Sequence, residues 1–148
     1  MNYYQAWAEN RPKINPGKYQ AQCVKAEKSG IWHAGQGGWG RSEKIVLWFQ
    51  VFGGEHSGVI IPTFLTTGEN GAVHQGSKYF VFWVIANGLR KPLRSRLKEM
   101  PMCKFEGKVF EVEVVDVKPK MSGKELPDLF TYSRVDYIYE LIVGNPDS

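Results

Sequence analysis

Cysteine, histidine and long apolar runs are all scarce in this 148-residue sequence. Two cysteines, Cys23 and Cys103, are too few for the disulfide framework of a small secreted domain. Together with the three histidines, they show none of the paired spacings that bind zinc. The longest apolar run, 79–86, is too short to span a bilayer, and no basic start followed by an apolar stretch marks a signal peptide. We therefore expect a cytoplasmic protein with no membrane partner and no metal.

The sequence also lacks recognisable catalytic signatures. The glycine run at 35–41 has no Lys-Ser/Thr pair and leads into a predicted strand, unlike a phosphate-binding loop. No Ser/His/Asp or Cys/His pairing stands out. Glu111, Glu113 and Asp116 share a predicted strand, where an acidic stripe facing solvent is a simpler explanation than a Mg²⁺ site. We therefore predict that the protein is not an enzyme and holds no cofactor.

Aromatic residues and a localised positive charge are what the sequence has in excess. Its five Trp, seven Tyr and eight Phe either fill a β-rich core or provide flat surfaces on which other rings stack. The net charge is +4, and residues 76–108 hold eight Lys or Arg against two Glu, so this segment contains the whole basic excess. Such clustering is typical of a protein that binds a polyanion, although a solvated polar face would look the same.

Alternation of apolar and polar residues predicts the secondary structure. The predicted strands are Gly17–Lys28, Glu43–Phe52, Ser57–Thr66, Gly107–Val117 and Arg134–Val143. Glycine-rich residues 29–41 are predicted to be irregular. A helix is predicted over 79–86, because Ser77 can cap its start and Asn87-Gly88 can end it, although a strand with a hairpin turn is the alternative.

Alternation also predicts which side chains face the core. In the second strand, Ile45, Leu47, Phe49 and Val51 are predicted to face inward and Trp48 outward. In the last strand, Val135, Tyr137, Tyr139 and Leu141 are predicted to share one face.

The order of these elements predicts one domain over residues 1–148. Three strands, a helical region and two more strands are the order of the oligonucleotide/oligosaccharide-binding (OB) barrel, in which closure removes exposed edges. The predicted class is therefore all-β with a minor helical part, a five-stranded OB-type Greek-key barrel with the helical region between strands three and four. We expect an N-terminal arm at 1–13, the barrel at 14–143 and a disordered tail at 144–148.

Three segments carry a resemblance to a known family. They are INPGKYQAQCVKAEKS, KIVLWFQVFGGEHSGVIIPTFLT and FEGKVFEVEVVDVK, within residues 14–118, and the turn at Val51–Gly58 belongs to the pattern. In these segments the sequence resembles small single-stranded-DNA-binding-like proteins of bacteriophages and mobile elements. The resemblance implies an OB fold and largely sequence-independent binding of single-stranded DNA in replication or recombination, with replication or recombination proteins and a second copy of the chain as further partners.

Candidate binding residues follow from the loops that flank the binding face of an OB barrel. Single-strand binders combine stacking rings with a positive groove, and glycine-rich loops let backbone approach phosphates. The candidates are Trp32, Trp39, Arg41, Trp48, Phe64, Lys118, Lys120 and Lys124, with additional basic contacts at Arg90, Lys91, Arg94 and Arg96. The alternative function is an OB-like module for protein–protein interaction or oligomerisation that binds no nucleic acid.

Overall fold

A computed structural model describes the chain at residues 3–33, 41–69, 77–92 and 100–144. The helices are α1 (Tyr3–Asn10) and α2 (Lys78–Ala86), with short 3₁₀ turns at Met102–Phe105 and Asp128–Phe130. The strands are β1 (Gly17–His33), β2 (Arg41–Phe52), β3 (Ile60–Glu69), β4 (Val109–Val117), β5 (Lys120–Met121), β6 (Lys124–Glu125) and β7 (Tyr132–Val143).

Five long strands form one antiparallel sheet in the order β3-β2-β1-β4-β7. The first part of β1 pairs with β4, and most of β1 pairs with β2. Its ladder with β2 shifts register between Cys23 and Lys25 and again between Lys28 and Gly30, and such bulges bend a strand. The all-β class is therefore confirmed. Among the described residues no ladder joins β3 to β7, so the sheet is open.

The two faces of β2 pack into two separate apolar groups, as its alternation predicts. Ile45, Leu47, Phe49 and Val51 lie in the inner core, which also contains the apolar residues of β1, β4, β7 and α2. Trp48 faces the other way, into a smaller group that we call the outer cluster. The buried members of the outer cluster are Trp7, Val46 and Trp48, and Val24, Ile60, Phe64 and Tyr132 pack against them.

Residues 79–86 are helical, as predicted. The Ser77 hydroxyl accepts a hydrogen bond from the backbone N–H of Phe80 at 3.2 Å, which caps the first turn. At the other end, the buried Lys108 ammonium donates to the carbonyl of Ala86 at 3.2 Å. Positive charge is favourable at a helix C-terminus, where carbonyls lack helical partners. Capping at both ends therefore holds an apolar helix against the inner core.

Several boundaries differ from the prediction. β1 continues to His33 because Gly30, Ile31 and the next two residues pair with the start of β2, so residues 29–33 are not irregular. β3 begins at Ile60 rather than Ser57, since residues 53–58 form the turn after β2. The N-terminal arm contains a helix, and a small hairpin of β5 and β6 lies in the loop after β4. The predicted disordered tail lies outside the described residues except for Gly144.

The predicted common face of the last strand is wrong. Val135 and Ile138 are buried in the inner core, whereas Tyr137 and Tyr139 are exposed. The cause is three shifts of register with β4, which leave Asp136, Tyr139 and Ile142 as extra residues in β7. One extra residue in a strand moves every following side chain to the opposite face.

Candidate nucleic-acid interface

The outer cluster gathers aromatic rings on the face of the sheet opposite the inner core. The ring of Trp7, on α1, lies with its centroid 6.2 Å from Trp48, 5.5 Å from Phe64 and 5.4 Å from Tyr132. The ring of Tyr3 stacks on Trp48 at 6.1 Å, with 27° between the ring planes. These distances are those of favourable aromatic pairs. The helix α1, the neighbouring strands β2 and β3 and the start of β7 therefore meet in this group of aromatic rings, which we also call the aromatic surface.

Two cations lie over rings of the outer cluster. The Arg11 guanidinium is 5.1 Å from the centroid of Trp7 and 5.4 Å from that of Tyr132. The Lys44 ammonium is 5.5 Å from the centroid of Phe64. Each is within cation–π distance, and both residues are exposed to solvent. The cluster therefore combines flat apolar surfaces with positive charge at its edge.

Trp48 lies on the predicted side of the sheet but has no exposed surface. Its indole N–H donates to the Glu27 carboxylate at 2.9 Å, and the rings of Tyr3 and Trp7 lie on it. The alternation of side chains along β2 correctly predicts that Trp48 points away from the inner core. The prediction of an accessible ring does not hold for this conformation, because α1 covers that face.

Phe64 is half-buried in the same cluster, directly under Lys44. Trp32 and Arg41 belong to the ribbon that extends β1 and β2, where Trp32 pairs with Ser42 and His33 with Arg41. Trp39 lies outside the described residues. The structure thus brings Phe64 and Trp48 together on one face, and it assigns Trp32 and Arg41 to strands rather than to a loop.

Lys118, Lys120 and Lys124 are all exposed at the hairpin formed by β5 and β6. Ser122 and Gly123 turn this hairpin with φ of 54° and 79°, and positive φ at both central positions is characteristic of a type I′ turn. The hairpin therefore presents these lysines on a short, ordered projection.

Three exposed apolar side chains near these lysines were missed by sequence reasoning. Met121 is 66% exposed, Leu129 is 88% exposed and Phe130 is 50% exposed. The sequence shows apolar residues within a polar loop here, but no local pattern tells whether another segment covers them. The chain then runs from Phe130 directly to Tyr132 in the outer cluster, so this region borders the aromatic surface.

The basic residues after α2 belong to another part of the molecule. Arg90 and Lys91 are exposed just beyond α2, which packs into the inner core on the opposite side of β2 from the outer cluster. The Arg90 side chain and the Asn87 carbonyl form a local hydrogen bond of 3.2 Å. Arg94 and Arg96 lie outside the described residues. The fold therefore separates Arg90 and Lys91 from the aromatic surface.

The acidic residues of β4 are engaged in separate contacts. Asp116 forms an ion pair with Lys13 at 3.4 Å. Local desolvation and the neighbouring Glu113 carboxylate raise the pKa of Tyr139. Within the described ranges no three His, Cys, Asp or Glu side chains are grouped to hold a metal ion.

The described helices include none that is long and apolar enough to cross a membrane. No protein-family model matches this sequence, and no curated protein matches it at a significant level. The function must therefore be argued from the outer cluster and the hairpin.

Proposed function

We propose that this protein binds single-stranded DNA, largely independently of base sequence and without catalysing a reaction. The observation that carries the proposal is the outer cluster, where Trp48, Phe64 and Tyr132 lie together and cations lie over the rings of Phe64 and Tyr132. Aromatic rings and positive charge side by side are what a flexible polyanion of stacked bases requires. Each stacked base contributes about 1–3 kcal/mol, whatever its identity, because every base has a π-face.

The hairpin extends this surface. Lys118, Lys120 and Lys124 neutralise phosphates along the strand, while Phe130 offers a further ring for stacking. Because lysine contacts release condensed counterions, the affinity should fall as salt rises. The bound DNA would run from the hairpin across the outer faces of β2 and β3.

An OB-type Greek-key barrel is the fold that we propose for this sheet. The order β3-β2-β1-β4-β7, with β1 between β2 and β4 and with α2 between β3 and β4, supports it. The two edge strands also lie close together, as closure would require. In that fold the outer faces of β2 and β3 form the usual oligonucleotide surface, and the resemblance to phage and mobile-element proteins suggests a role in replication or recombination.

Fluorescence anisotropy of a labelled oligo-dT of about 15 nucleotides, beside a matched duplex, tests the proposal. We expect salt-sensitive binding that favours the single strand. Phe64→Ala should weaken it by about ten- to a hundredfold, corresponding to one lost stacking contact. The absence of binding to oligo-dT at low salt, with the protein folded, would refute the proposed function.

The lysines provide a second, matched comparison. In the double variant Lys120→Ala/Lys124→Ala, the negative slope of log affinity against log salt should become shallower by about 1.4, or ~0.7 per phosphate contact. Arg90→Ala/Lys91→Ala removes the same charge from the other side of β2 and should leave the slope unchanged. Equal effects of the two double variants would mean that only the net charge matters and would locate no site.

A second candidate function is supported by the exposed side chains of the edge strand β7. Tyr137, Tyr139, Ile142 and Val143 are exposed along this strand, and an apolar edge strand favours pairing with another chain. This observation favours an oligomerisation or protein-interaction module. Analytical ultracentrifugation separates the two cases, because such a module would self-associate or bind a protein yet leave oligo-dT unbound.

A further inference from the structure

We propose that α1 is a displaceable cover of the binding face, so that the protein's own Tyr3 and Trp7 occupy the positions that bases take when a single strand binds. This inference rests on the proposed function and adds its regulation. Tyr3 stacks on Trp48, and Trp7 contacts both Trp48 and Phe64. A base and α1 cannot use the same face of Trp48 at once, so the two must compete.

The way α1 is held makes its release feasible. The helix has eight residues, with no acidic residue in its first turn and no basic residue in its last. So short a helix is marginal in water without tertiary contacts. Among the α1 side chains that the structure describes, Trp7 alone is buried. Docking of α1 therefore buries one indole and stacks the ring of Tyr3 on Trp48.

A cavity of about 300 Å³ that is open to solvent lies beside α1. It is lined by Tyr3, Ala6, Trp7, Pro12, Gly58, Val59 and Ile60. Where these side chains face the cavity they contact solvent rather than protein, so they gain less from burial than side chains in a close-packed interior. Tyr3 and Ala6, on α1, are therefore only partly covered by the sheet.

The chain leaves α1 through a single residue of unusual backbone conformation. Arg11 has φ of 38°, an uncommon value for a residue with a Cβ, and its N–H donates to the Trp7 carbonyl at 2.6 Å. The next residues are fixed to the sheet. The Ser133 N–H donates to the Pro12 carbonyl at 3.0 Å, and the Ile14 N–H donates to the Ser133 hydroxyl at 2.8 Å. Rotation at Arg11 would thus release α1 while residues 12–14 stay in place.

Population arithmetic gives the expected size of the effect. If only the uncovered form binds, the apparent dissociation constant is the intrinsic one divided by the uncovered fraction. A cover that is closed for about nine tenths of the time lowers the affinity about tenfold. A substitution that weakens the docking of α1 should therefore raise the affinity for single-stranded DNA. A substitution of a residue that contacts the DNA directly would lower it.

The first experiment compares full-length wild type with Trp7→Ala in the oligo-dT assay. We expect Trp7→Ala to bind about tenfold more tightly. Val81→Ala, which shortens an exposed apolar side chain of α2 on the other side of β2, is the control and should bind as the wild type does. Unchanged or weaker binding by folded Trp7→Ala would refute the proposal that α1 covers the site, because Trp7 would then be neutral or would itself contact the DNA.

Hydrogen exchange on the unaltered protein provides a readout that needs no variant. Adding excess oligo-dT should accelerate exchange of the α1 amides, since the helix loses its docking surface, and should slow exchange in β2 and β3. Slower exchange in α1 would overturn the cover. If oligo-dT binds neither protein and changes no exchange rate, the proposed function itself fails, whereas binding with slower α1 exchange refutes only the cover.

Discussion

The inner core and the outer cluster are two apolar groups on opposite faces of the same strand, and they are closed in different ways. α2 closes the inner core with a serine cap at its start, the Lys108 ammonium at its end and buried side chains on most of its surface. α1 covers the outer cluster with one buried indole and leaves a cavity beside it. The same hydrophobic effect thus provides a permanent closure on one face and a weak one on the other.

The largest expected effect comes from the inner core. Phe82, on α2, is fully buried and contacts Tyr137 edge to face at 5.4 Å. Phe82→Ala should lower the free energy of unfolding by about 3–5 kcal/mol, because it leaves a cavity among residues that cannot collapse into it. Urea denaturation measures this value. Val81→Ala, at an exposed position of the same helix, should stay within about 0.5 kcal/mol of the wild type.

Trp7→Ala tests the outer cluster on the same scale. We expect it to lower the free energy of unfolding by about 1.4 kcal/mol at most, because a cover that is closed for about nine tenths of the time contributes no more than a tenfold factor to stability. A loss as large as that of Phe82→Ala would contradict the comparison and would make α1 an integral part of the fold. The same urea titration measures both variants.

The smallest effect concerns Cys23, whose thiol lies in the inner core. Burial, with a contribution from Glu106, raises the pKa of Cys23 from 9.0 to about 12. The thiol stays neutral in the folded protein while the unfolded chain ionises, so stability is complete below pH 9 and declines between pH 9 and 12. Linkage predicts a loss of about 1 kcal/mol by pH 9.5.

Cys23→Ala removes this titration, so its free energy of unfolding should decline less between pH 8 and pH 9.5 than that of the wild type. Cys103→Ala, at the exposed cysteine, is the control and should decline as the wild type does. Equal declines in all three proteins would mean that water reaches Cys23 in the folded state.

Much of the sheet could be predicted because local patterns agree with tertiary packing. Alternation in β2 predicts the inward set from Ile45 to Val51 and the outward direction of Trp48, and Ser77 predicts the start of α2. These features depend on residues two to four positions apart, so the sequence displays them directly. The position of Phe64 beside Trp48 also follows once β2 and β3 form a hairpin.

Other features could not be predicted because they depend on contacts between distant segments. The bulge at Asp136 is set by pairing with β4. Because of it, Tyr137 is exposed although Val135, two residues earlier, is buried in the inner core. β1 extends to His33 because the start of β2 pairs with it, although this part of β1 contains Gly30. Leu129 and Phe130 are exposed because no other segment of the described structure packs over them, and only the tertiary structure shows this.

The sequence by itself determined the strands, the apolar face of each regular strand and the helix α2, since the periods of strand and helix are properties of the local backbone. Tertiary structure alone decided what covers the outer face. Trp48 points away from the inner core whatever covers it. Whether its ring meets solvent, a base or α1 depends on Trp7, which is distant in the sequence and is brought near by the hydrogen bonds of residues 12–14 to Ser133. Burial is a relation between distant residues, and for that reason no local pattern contains it.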